Sequence, residues 1–175
     1  MDDIYLDKVL SGDVDAFSYF IETYKNMAFN ISISIVKDKQ YAEEVVQDAF
    51  MKAFGGLKSF NRKATFKSWL YRIVVNESFL KLRSLKKTKH IVSLEAENKE
   101  FEEASMDETS DDKTQKIQKV LGMLSPNEGL ALQLFYLEES SIKEIIHITG
   151  WTKANTKVLL HRARKSVREI WNNVV

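Results

Sequence analysis

"TFKSWLYRIVVNESFLKLRSLKK", residues 65–87, is apolar and aromatic at its start and strongly basic at its end. Helices of this kind serve membrane surfaces, buried cores and nucleic-acid faces alike. One stripe at helical spacing is Phe66, Trp69, Leu70, Ile73 and Leu80, interrupted by Asn76 and Glu77; roughly opposite runs a second of Tyr71, Val75, Phe79 and Leu82. A membrane-surface helix needs one broad polar face toward water, whereas two apolar stripes fit a helix sandwiched in a bundle. The bases gather where the helix should emerge, at Lys81, Arg83, Lys86 and Lys87, and the preceding loop adds Lys58, Arg62 and Lys63.

The surrounding chain sets the fold class. Its 175 residues, 44% hydrophobic, can supply one ordinary core or two small ones. With one Pro and six Gly, few segments are forced to turn, so the expectation is an all-α protein. The absence of Cys excludes disulfides, thiolate chemistry and cysteine-based zinc sites. His90, His147 and His161 have no metal-ligand spacing, and no Gly-rich phosphate loop or nucleophile with a paired base is present, so neither a cofactor nor an enzyme is expected. The N-terminus "MDDIYLDKVL" lacks the basic and apolar regions of a signal peptide, and "MAFNISISIV" is about half the roughly 20 residues that span a bilayer. The expected setting is cytoplasmic, without membrane insertion.

A net charge of +1 conceals alternating blocks. Residues 1–57 carry ten acids and five bases, residues 58–89 ten bases and one acid, residues 95–112 nine acids and one base, and residues 143–168 seven bases and one acid. Two basic blocks separated by an acidic one point to two anion-binding surfaces on different modules. The run "EAENKEFEEASMDETSDDK", residues 95–113, has Phe101 as its one aromatic residue and too little apolar surface to fold alone. It marks a flexible acidic linker over 91–113, between an N-terminal helical bundle (1–90) and a C-terminal domain (114–175).

In the bundle, "SGDVDAF" offers Ser11 or Asp13 as a cap for a helix that reaches Val36. After "KDKQ", residues 41–57 place Ala42, Val45, Val46, Ala49, Phe50, Ala53 and Leu57 on one face, with Gly55 and Gly56 as the stop. The opposite face holds Glu44, Gln47, Asp48, Met51 and Lys52; the methionine hints at a partner surface. In the C-terminal domain, "SPNE" is a capping box with Pro126 at the first helical position. Ser140 or Ser141 then caps "IKEIIHI", Thr149-Gly150-Trp151 turns the chain, and Thr152 caps a final helix with Thr156, Leu159, Leu160, Ala163, Val167 and Ile170 inward. Its other side carries Lys157, His161, Arg162, Arg164, Lys165 and Arg168, with Asn155 near the start. A basic helix after a tight turn predicts a helix-turn-helix that presents side chains to the major groove.

Taken in order, "SGDVDAF", "AEEVVQDAFMKAF", "FKSWLYRIVVNESF", "MLSPNEGLALQLFYLEESSIKEI" and "HRARKSVREIW" resemble the extracytoplasmic-function (ECF) sigma factors of the sigma-70 family over nearly the whole chain. The resemblance implies a factor that binds core RNA polymerase and takes it to promoters. It assigns Glu44, Gln47, Asp48 and Met51 to the clamp helices of the polymerase β′ subunit, and adds the β flap and an anti-sigma factor as partners. The Lys58–Thr65 loop and the next helix, above all Asn76 and then Lys81, Arg83, Lys86 and Lys87, fall to the minus-10 element; Trp69 is read as core. Lys157, Val158, His161 and Arg162, with Asn155 and Lys165 at phosphates, fall to the minus-35 element. Where many relatives have Gly-Thr-Val-Lys-Ser-Arg this chain has "ANTKVL", so the promoter sequence does not carry over. Elements about 16 base pairs apart lie on the order of 55 Å apart, within the reach of a linker of about 25 residues, which spans some 80 to 90 Å when extended. The alternative is a stand-alone helix-turn-helix regulator, which explains the second domain equally well but leaves the basic loop of the first unused.

Overall fold

The computed structural model describes residues 1–95 and 119–174, and every regular element among them is helical. Helix α1 spans Asp2–Leu10, and a 3-10 turn at Val14–Phe17 leads into α2, Ser18–Val36. Asp13 is the cap that matters here, its carboxylate accepting from the Ala16 N–H, while Ser11 closes α1. Lys37 ends α2 in the left-handed conformation (φ 60°), and the Asp38 side chain accepts from the Tyr41 N–H to start α3, Lys39–Gly56. The two glycines thus sit inside the last turn of α3, and the chain leaves it through a 3-10 turn, Leu57–Ser59. Helix α4 is Phe66–Glu95, longer than the expected domain end. The described part of α5 is 119–123; α6, Pro126–Leu132, runs on as a π turn to Leu137; α7 is Ile142–Thr149 and α8 Lys153–Val174. The acidic run from residue 96 to 113 lies outside the described residues.

Helices α2, α3 and α4 pack pairwise around one core. Ala42, Ala49 and Ala53 are fully buried and let α3 approach Phe20, Ala28, Ile31 and Ile35 of α2 and Leu70 and Val74 of α4 closely. Burying a large apolar side chain stabilises by about 1.5–3 kcal/mol, so this cluster holds the bundle.

The two stripes expected on α4 are in fact the shoulders of one face. Its centre is Leu70, Tyr71, Val74 and Ser78, all 0% exposed, and the Ser78 hydroxyl satisfies itself by donating to the Val74 carbonyl at 2.7 Å. Leu80 departs from the expectation: at 52% exposed it stands one turn beyond exposed Asn76, on the side opposite this centre.

The C-terminal helices do not stand apart. Leu130, Leu134, Ile145 and Ile148 join the same core cluster as the bundle, with α6 against α2 and α7 against α4. Between them the Tyr71 hydroxyl donates to Glu138 at 2.8 Å, Gln133 Nε2 donates to the other carboxylate oxygen at 3.2 Å, and Lys67 Nζ lies 3.9 Å away. Lys37 Nζ donates to the Leu121 carbonyl at 2.7 Å, and Arg72 reaches the His147 carbonyl at 3.4 Å.

Candidate promoter and polymerase interfaces

The outward ribbon of α4 is Arg72, Asn76, Leu80, Arg83 and Lys87, all exposed, with Lys86 beside it. Thr65 starts the helix by accepting from the Ser68 N–H at 3.2 Å. The loop before it is anchored from beneath: Trp69 is half-buried against Phe60 and Phe66, ring centroids 5.0 and 5.6 Å away, which makes it scaffold as expected. Lys58, Arg62 and Lys63 are exposed on this loop. Arg62 has φ 57° and is held by Asp7 and, at 3.9 Å, by Asp3 of α1, so its guanidinium is already engaged. Its pKa is raised, chiefly by the hydrogen bond to Asp7.

Lys81 does not join this ribbon. It turns toward α3, pairs with Glu44 at 2.5 Å and sits 4.5 Å over the Tyr41 ring. The sequence grouped it with Arg83 because they are neighbours in number, but two residues along a helix are about 200° apart in direction.

On α3, Gln47, Asp48 and Met51 are exposed, Met51 at 69%, and Glu44 is partly covered by its Lys81 contact. Sequence reasoning missed that Phe54, 41% exposed, extends this face toward a groove lined by Val14, Phe17 and Ile21. The signal was available, since Phe54 follows Met51 by three residues and is therefore its neighbour on the helix surface.

The helix-turn-helix is built from caps. Ser141 is the N-cap of α7 and forms a reciprocal box with Glu144, whose carboxyl is held below its usual pKa by the Ser141 hydroxyl. Ser125 and Glu128 do the same for α6, and Glu128 also accepts from Ser166 of α8 at 3.0 Å. Gly150 takes φ 75°, the left-handed region where a side chain is strained, and its N–H closes α7 on the Ile146 carbonyl. Thr152 Oγ1 then accepts from the Asn155 N–H at 3.2 Å and sets the start of α8. Thr156, Leu160 and Ala163 are buried, which leaves Asn155, Lys157, Val158, His161, Arg162 and Lys165 exposed together.

Among the described residues no group of side chains could hold a metal ion, and no helix is long and apolar enough to cross a membrane. Two family models match in the order the geometry suggests: Sigma-70 region 2 over residues 20–88 and Sigma-70, region 4 over residues 114–167. The chain belongs to the ECF sigma factors of the sigma-70 family. The ECF RNA polymerase sigma factor SigW of Bacillus subtilis (strain 168) is 27% identical over 175 residues, covering 93% of this chain and 92% of that one. The ECF RNA polymerase sigma-E factor of Escherichia coli (strain K12) is 27% identical over 176 residues, covering 95% and 92%. Among solved structures, the sigma factor RpoE of Bartonella quintana, in complex with the anti-sigma factor NepR, has a TM-score of 0.73 at 24% identity, covering 89% of this chain and 96% of that one. CnrH, in complex with the cytosolic domain of CnrY, has a TM-score of 0.70 at 20% identity, covering 98% and 97%. As an ECF sigma factor the protein acts with RNA polymerase and promoter DNA in transcription initiation. The match to region 2 gives the N-terminal bundle the role that a stand-alone regulator would leave it without.

Proposed function

We propose that this sigma factor divides its work among four surfaces, in a domain of residues 1–90 and another of residues 114–175. Gln47, Asp48 and Met51 of α3, with Glu44 behind them, bind the clamp helices of the polymerase β′ subunit; the C-terminal domain meets the β flap. The exposed loop bases Lys58, Arg62 and Lys63, with Asn76, Arg83, Lys86 and Lys87, take the minus-10 element, where an unstacked base needs a polar partner and single-strand phosphates need positive charge. Lys81, expected with these bases, is paired with Glu44 and is left out of that surface. The outward face of α8 reads the minus-35 element: Lys157, Val158, His161 and Arg162 toward bases, Asn155 and Lys165 toward phosphates.

The observation that carries this reading is the exposed ribbon Arg72–Asn76–Leu80–Arg83–Lys87 on a helix otherwise buried in the bundle. Exposed Leu80 beside exposed Asn76 offers an apolar side chain for an unstacked base to lie against. The protein acts in the cytoplasm as a binding subunit without chemistry of its own. An anti-sigma factor is its expected regulator, supported by the structural neighbour RpoE, which was solved in complex with the anti-sigma factor NepR.

Binding of labelled protein to purified core polymerase, followed by strand opening on a promoter, tests the division. Asp48→Lys should weaken core binding, and Asn76→Ala should leave core binding intact while impairing strand opening. If both variants lose core binding equally, the surfaces are misassigned.

A further inference from the structure

Helix α1 lies ahead of the segment that matches region 2, residues 20–88, yet the bundle seats it at several points. Leu6 is 1% exposed, Tyr5 stacks on Tyr19 with ring centroids 3.9 Å apart, and the Asp2 carboxylate accepts from the hydroxyls of Tyr19 at 3.1 Å and Tyr24 at 2.6 Å. Its other acids, Asp3 and Asp7, stand one turn apart and so share a face. Both meet Arg62 of the loop before α4, Asp7 by a hydrogen bond from the guanidinium and Asp3 at 3.9 Å.

The loop needs such a hold. Arg62 has φ 57°, the left-handed region that an arginine adopts only at a cost. Phe60 is fixed against Phe66 and Trp69 on one side of it, and Thr65 caps α4 on the other. Between these anchors the Lys63 N–H donates to Asn61 Oδ1 at 3.1 Å, a turn that closes around Arg62. Asn61, Arg62 and Lys63 are all exposed, so burial does not choose the shape of this tip. Ion pairs between exposed side chains add little to stability. The pair with Asp7 is therefore of small use to the fold as a whole, and its effect falls on which conformation the tip takes. Arg62 is not used up by it: a guanidinium carries five N–H donors, and its side chain here is 41% exposed.

We propose that Asp7, with Asp3 behind it, is a positioning residue for minus-10 recognition: it holds Arg62, and through it the Asn61–Lys63 tip, in the shape that meets the opened strand. This rests on the assignment of the loop to the minus-10 element. Two carboxylates beside a DNA-binding base could instead merely screen its charge, and the two roles differ in sign. Removing Asp7 strengthens a screened loop and weakens a positioned one.

Full-length protein with core polymerase, on a promoter mapped by its start sites, gives that sign. Asp7→Ala should slow strand opening about fivefold and cut discrimination against single-base changes in the minus-10 element about threefold, since a displaced contact group loses its alignment with the strand. Asp7→Glu should recover most of both. On an Arg62→Ala background Asp7→Ala should do nothing further, because a residue that acts through another has no effect once that one is gone. In the free protein the Lys63 amide should exchange its hydrogen several-fold faster in Asp7→Ala, as the turn around Arg62 loosens. Faster opening in Asp7→Ala, unchanged discrimination, or an undiminished loss on the Arg62→Ala background overturns the proposal; the last is also what an α1 that has come off the bundle would give. If Lys58→Ala together with Lys63→Ala leaves minus-10 discrimination unchanged, the loop assignment fails and the proposed role fails with it, while exchange at the Lys63 amide of Asp7→Ala still reports whether Asp7 holds the loop.

Discussion

At the residue scale, exposure separates side chains that the sequence could only group. Asn76 interrupted an apolar stripe and so was visible as an oddity; the structure makes it exposed, flanked by Arg72 and Leu80 at helical spacing. Asn76→Ala should slow open-complex formation by on the order of tenfold, in keeping with about 1–3 kcal/mol for a base contact, with core affinity changed less than twofold; permanganate reactivity of the opened strand reads the first and a binding titration the second. Val158 is 46% exposed in α8. A β-branched residue there lowers helix propensity slightly, and under the proposed minus-35 assignment its methyl groups would meet a thymine methyl. Replacing thymines of the mapped minus-35 element with deoxyuridine should weaken binding several-fold at one position, and Val158→Ala should abolish that sensitivity. A dependence that survives in the variant assigns the methyl contact elsewhere. Lys81 marks where sequence proximity misleads: adjacent numbers on a helix point in different directions, and its partner Glu44 was 37 residues away.

At the element scale, caps and turns were the most legible features, because they are local chemistry. The Ser125 box, the Gly150 turn and the Thr152 start can be read from a few neighbouring residues, whereas Ser11 against Asp13 and Ser140 against Ser141 stayed open until the structure chose Asp13 and Ser141. Ser141→Ala should cost about 1 kcal/mol, seen as a lower urea midpoint. The cap also carries a pH sign. Glu144 has its pKa lowered in the folded state, so its contribution is present above the ordinary carboxyl value of 4.5 and is lost as pH falls through the lowered one; Ser141→Ala should remove that part of the acid sensitivity. The face of α4 was less legible. Its stripes were read as opposite because Val74 and Ser78, the residues at the centre, were assigned to neither. On α3 the expected surface gains physical content: Asp48→Lys reverses a charge on an exposed face, and core affinity should fall by about tenfold or more, since like-charge juxtaposition at an interface costs several kcal/mol, as measured by competition with a labelled sigma factor.

At the scale of the whole molecule, alternating charge blocks led to the expectation of two domains, whereas the close packing of the C-terminal helices on the bundle was not legible. It depends on a hydrogen bond between residues 67 positions apart, Tyr71 and Glu138, and on a glycine whose neighbour is a backbone oxygen of another domain. No local pattern encodes either. Tyr71 reflects this packing and Tyr24 the packing of α1 on α2: desolvation, then hydrogen bonds to Glu138 and Asp2 respectively, raises both phenols above 10. Their stabilising contribution is therefore complete below pH 10 and lost as pH rises beyond it. Absorbance titration should show these two tyrosines ionising only as the chain unfolds, and Tyr71→Phe should remove one of the late transitions. The central claim is that this chain directs polymerase through two separate promoter elements, and transcription of genomic DNA by core polymerase with and without the protein, with start sites mapped, tests it most directly. The account predicts protein-dependent starts that share two upstream elements about 16 base pairs apart, matching the two-surface geometry; no protein-dependent starts, or starts that share a single element, would contradict it.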